Sequence, residues 1–146
     1  MSDELNAAPT TTFWVVGGAA LIWNLLGLFL YYMQVTATPD SLAAVYNDAE
    51  IAFITATPAW ATSAYAIAVV TGVAGSLFLL LRRSWAVPMF MTSLAGIVVQ
   101  NGYAFLLAGG FDVWGMQAIV LPTIVTAIAV ALIWYSRRAK YRKWIS

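Results

Sequence analysis

The chain has 146 residues, 62% of them hydrophobic and 9% charged, with a formal net charge of +1 and a mean hydropathy of +0.83. Soluble domains carry about 25% charged residues, so a water-exposed globule is excluded and a single bundle in a bilayer is expected. With no cysteine and no histidine, disulfides, thiolate chemistry, the usual zinc sites and the commonest haem ligand are excluded too.

The first long apolar run covers residues 13–34, after a polar arm ending in Thr10, Thr11 and Thr12. Its 22 residues reach roughly 33 Å as a helix, enough to cross the hydrocarbon core. The arm carries Asp3 and Glu4 but no Lys or Arg. The run is also too long for a signal-peptide core, so it is expected to stay as a membrane span. Residues 35–57 form a long loop in which Thr38, Pro39 and Asp40 read as N-cap, N1 and N2 of a short helix. Leu42, Val45, Tyr46, Ala49 and Phe53 fall at helical spacing there, so one interfacial helix over the bundle end is expected. Asp48 and Glu50 lie outside that stripe and are read as a solvated face.

Three further spans are predicted at residues 58–81, 85–107 and 116–135. Pro58 and Pro88 stand early in their helices, where a missing N–H costs little. Pro122 is expected inside the fourth helix, bending it and freeing a carbonyl. All seven basic residues, Arg82, Arg83, Arg137, Arg138, Lys140, Arg142 and Lys143, fall in the second loop and the tail at 136–146. The other loops carry only Asp40, Asp48, Glu50 and Asp112, so the positive-inside rule puts both termini in the cytoplasm. Trp14, Trp85, Trp134 and Trp144 mark the expected inner boundary; Tyr31, Tyr32, Trp60, Phe111 and Trp114 mark the outer. The fold expected is all-α: an integral four-transmembrane-helix bundle, N-in and C-in, in a bacterial inner membrane. The seven basic residues, in the second loop and the tail, suit anionic lipid headgroups.

Two sets of residues bear on function. Ala64, Ala68, Gly72 and Ser76, with Thr123, Ala127 and Ala131, recur every four residues, a spacing that lets helices approach closely in lipid. Internal packing is the plainer reading, and contact with another subunit the alternative. Asn24, Gln100 and Asn101 are the strongly polar groups within the apolar runs, with Trp23, Tyr65 and Thr123 near them by level. They read either as interhelical glue or as a polar ligand site in the outer half. No nucleophile–base pair, intramembrane charge or metal cluster is present, so no catalysis, cofactor, metal or nucleic-acid partner is expected.

The segments Trp23-Asn24-Leu25-Leu26-Gly27, Thr57-Pro58-Ala59-Trp60-Ala61 and Leu81-Arg82-Arg83-Ser84-Trp85-Ala86 resemble a group of small bacterial four-helix membrane proteins. These are often labelled "sugar transporter" and are similar in form to DoxX-like proteins; the resemblance implies solute transport and assigns no residue a role. Two functions stay open. One is a non-catalytic accessory or structural protein that associates with itself or with a larger membrane complex. The other is a small-solute or lipid-binding transporter.

Overall fold

A computed structural model describes residues 8–146; the acidic arm with Asp3 and Glu4 lies outside them. Among the described residues seven α-helices follow in order: α1 (Thr11–Val35), α2 (Pro39–Ala43), α3 (Asp48–Thr55), α4 (Ala59–Leu80), α5 (Ala86–Gly102), α6 (Gly110–Trp114) and α7 (Val120–Tyr141). A π-helical turn, Tyr103–Leu107, extends α5, and a 3-10 turn, Met116–Ile119, leads into α7. With these extensions, four helices are long and apolar enough to cross a membrane, the make-up of a multi-pass membrane protein.

The spine of the bundle is α4, packed between α1 and α5, and α7 packs on the far side of α5. Small residues set this order. A Cβ on Gly96 would stand 2.7 Å from the Ala64 carbonyl oxygen and 2.9 Å from the Ala68 nitrogen, so the α4 and α5 backbones touch there. Ser93 then donates across the interface to the Ala68 carbonyl at 2.7 Å. Ala64, Ala68, Gly72 and Ser76 are all buried in these contacts. The matching residues of α7 behave differently. Thr123, Ala127 and Ala131 are exposed, whereas Ala129, Leu132, Ser136 and Ala139 face inward. At 100° per residue these sets lie on different faces, and internal packing of the first is corrected.

Pro122 also departs from expectation. It stands in the first turn of α7, just after the 3-10 segment, and not in the helix interior. Its missing N–H therefore falls where an α-helix has no partner to offer. The loop after α1 holds two short helices instead of one. Thr38 and Ser41 cap α2 reciprocally, and Asn47 and Glu50 do the same for α3. The second capping box starts a separate helix and divides the expected apolar stripe.

At the basic end, α4 and α7 finish in the same way. Arg82 (φ 58°) and Lys143 (φ 56°) adopt the left-handed conformation. Arg83 N–H donates to Phe78 and Trp144 N–H to Ala139, each closing a Schellman turn. The last residues then run beside the loop between α4 and α5. Ser84 N–H donates to the Ser146 carbonyl at 2.8 Å, Ser146 N–H to the Arg82 carbonyl at 2.9 Å, and Arg82 Nε to the Trp144 carbonyl at 2.8 Å. Trp144, placed at the lipid boundary by sequence, is only 6% exposed, its ring 5.9 Å from that of the fully buried Phe13. The left-handed turn at Lys143 reverses the chain and carries the indole into the core. Trp14, Trp85 and Trp134 are exposed at the same end. Removing the Trp144 side chain (Trp144→Ala) should cost about 3 kcal/mol or more of stability, read from reversible unfolding in mixed detergent micelles. A loss below about 1 kcal/mol would mean the tail is not part of the core.

Candidate functional site: an intramembrane cavity between α1 and α7

The core at the basic end joins α1 to α7: the rings of Phe13 and Tyr135 stack with centroids 6.5 Å apart, and Trp144 packs beside them. Further along, α1 and α7 form no interface comparable with those of α4. The helices diverge, and a cavity of about 520 Å³ lies between them.

Exposure around the lining tells the floor from the mouth. The buried lining residues include Ala68 and Val69 of α4, Phe90 and Ser93 of α5, and Ala129 and Leu132 of α7. The exposed ones are Leu26, Leu30 and Gln34 of α1 and Leu121 of α7. Leu26 is 51% exposed and Leu121 60%. The cavity is therefore floored by α4 and α5 and opens sideways between α1 and α7, through a rim that is apolar except for Gln34. Towards the acidic end it is roofed by Phe53 of α3 and Trp114 of α6. Their rings meet edge to face at 6.1 Å, and Tyr46 meets Trp114 at 5.7 Å. Gly110 seats α6 on the π turn, since a Cβ there would run into the Ala104 carbonyl. The π turn, closed by Ala108 N–H on the Tyr103 carbonyl at 2.9 Å, has no sequence signal of its own.

Trp23, Asn24, Tyr65, Gln100 and Asn101, singled out from sequence, all line this cavity. Thr123 does not: it is exposed, and its hydroxyl donates to the Ile119 carbonyl at 2.8 Å. The amides differ in what holds them. Asn24 Nδ2 donates to the Ala20 carbonyl at 2.8 Å and to the Ser76 hydroxyl at 3.2 Å, tying α1 to α4. Gly72 makes the room, because any Cβ there would overlap Asn24 Oδ1. Gln100 and Asn101 make no side-chain hydrogen bond to protein among the described residues. Gln100 lies seven residues past Ser93, about 10 Å along α5, so the two amide positions stand at different depths.

A smaller cavity of about 190 Å³ adjoins the first under the roof. It shares Gln34, Phe53, Tyr65, Gln100, Ala104 and Trp114 with the larger one and adds Tyr46, Thr57, Thr62 and Tyr103. Sequence reasoning passed over Gln34 because it lies at the end of its apolar run. By sequence Phe53 belongs to the apolar stripe of the interfacial helix and Trp114 to the outer boundary; their convergence depends on the α3–α6 contact, which spacing does not encode. Among the described residues, no Asp, Glu, Lys or Arg lines either cavity. Of the basic residues assigned to lipid headgroups, Arg82 holds the tail, Arg138 lies over Trp134 (5.7 Å) and Arg142 over Trp144 (5.3 Å). Comparison with protein-family models, curated proteins and solved structures finds no match for this chain.

The two kinds of amide should separate on substitution. Asn24→Leu should cost about 1–3 kcal/mol, from lost hydrogen bonds and overlap with Gly72. Gln100→Leu and Asn101→Leu should each stay within about 0.5 kcal/mol of the parent. Unfolding in mixed micelles measures all three; equal losses would return Gln100 and Asn101 to a structural role.

Proposed function

We propose that this chain is a non-catalytic membrane protein that binds an amphiphile drawn sideways from the bilayer into the cavity between α1 and α7. The observation that carries the reading is the division of the lining: buried side chains on the floor, exposed apolar ones on the α1 and α7 rims. The cavity volume lies in the usual range for ligand sites, and its mainly apolar wall with a few amides fits a molecule with a long apolar body. Lack of a nucleophile with an activating base favours binding over chemistry.

The positive-inside rule supports placing the basic end in the cytoplasm, which would set the roof of α3 and α6 on the outer side of a bacterial inner membrane. A second reading rests on the exposed small residues of α7. Thr123, Ala127 and Ala131 form a face suited to another helix, which favours an accessory role in a homo-oligomer or a larger complex. The readings are compatible, since that face is not part of the cavity lining.

The test is native mass spectrometry of protein purified in mild detergent, compared with Ile97→Trp, which puts a larger side chain into the cavity wall. The parent should retain an amphiphile through delipidation, and the folded variant should lose it. Equal retention by both, or a retained second copy of the chain that the variant releases, would contradict the reading.

A further inference from the structure

The smaller cavity under the roof is a different environment from the larger one. Gln34 and Gln100 bring amides to it, Thr57 and Thr62 hydroxyl-bearing side chains, and Tyr46 and Tyr103 phenols. Neither glutamine side chain hydrogen-bonds to protein among the described residues. The threonine hydroxyls instead donate to backbone of their own segments: Thr57 to the Phe53 carbonyl and Thr62 to the Pro58 carbonyl. Among the described residues the amides, with the phenols of Tyr46, Tyr65 and Tyr103, are thus the free hydrogen-bonding groups, and the amides lie where the small cavity joins the large one.

Charge narrows the occupant further. Among the described residues, no ionisable acid or base other than tyrosine lines the chamber. The helices that supply its roof carry acids only, Asp48 and Glu50 on α3 and Asp112 on α6. Burying an anionic head there would strip its hydration without a cation to replace it, beneath helices whose only charged side chains are acidic. A neutral head with hydroxyl or carbonyl oxygens meets donors and acceptors from both glutamines and carries no such penalty.

We propose that this chamber is the headgroup subsite for the amphiphile, and that it selects an uncharged, hydrogen-bonding head over an anionic one. The apolar body then lies in the larger cavity, towards Val69, Phe90 and Ile128. This inference rests on the binding reading given above and adds which end of the ligand goes where and what charge it has. Gln34 and Gln100 grip the head and have no part in holding the fold.

The test uses the protein's own tryptophan fluorescence, since Trp23 and Trp114 flank the cavity, with bromine as quencher. Three probes of equal chain length are titrated into detergent-solubilised protein: a brominated monoacylglycerol, a brominated alkyl sulfate and a brominated alkane. The monoacylglycerol should quench saturably and bind at least tenfold more tightly than the sulfate at low salt, with the gap narrowing as salt rises. The double variant Gln34→Leu/Gln100→Leu should lose roughly tenfold or more for the monoacylglycerol, the loss of one or two hydrogen bonds. Its affinity for the alkane should be unchanged, which also shows that the fold is intact. An equal effect on both probes, no effect on either, or sulfate binding as tight as monoacylglycerol would overturn the subsite. Absence of saturable quenching by every probe would instead remove the binding reading beneath it.

Discussion

Helices in lipid gain little from burying apolar side chains against one another, so their contacts are decided by where backbones can approach and where polar groups pair. In this chain that constraint is met unequally. Gly72, Gly96, Ser76 and Ser93 bring α4 close to α1 and α5, while α1 and α7 meet through aromatic packing at the basic end. The cavity follows from that inequality. A small-residue seam between α1 and α7 would have closed the bundle; the residues there are instead Leu26, Leu30 and Leu121.

The two ends of the bundle complement each other. At the basic end, two left-handed basic residues reverse the chain after α4 and α7 and let the tail pair with the loop between α4 and α5. A left-handed conformation at a residue other than glycine costs about 1 kcal/mol. The burial of Trp144 and Ile145 offsets it by more. The cross-linked end fixes the angle at which α1 and α7 leave it. At the acidic end the chain closes the cavity with short helices, each started by its own cap or glycine. Phe53 and Trp114 meet over the cavity because α3 packs on α6.

The four spans were legible in the sequence because 18 or more apolar residues in succession have few alternatives. The polar residues at Asn24, Gln100 and Asn101 stand out against apolar neighbours, and they line the cavity with Trp23 and Tyr65. Reach across space was less legible. The period of four that buries Ala64 to Ser76 also runs through Thr123, Ala127 and Ala131, yet those face outward; spacing gives a face and not its direction. Trp144 looked interfacial from its basic neighbours, and a single left-handed residue sent it inward. The π turn and the 3-10 entry to α7 depend on how helix ends are satisfied, which composition does not reveal.

The central claim is that an amphiphile lies between α1 and α7 with its apolar body on the α4–α5 floor. Anomalous diffraction from crystals grown in a lipid phase doped with a brominated monoacylglycerol tests it most directly. The account predicts a bromine peak inside the bundle, bounded by Val69, Phe90 and Ile128. Bromine found only around the outer faces of the helices, with the α1–α7 gap filled by a helix of a neighbouring copy, would contradict it.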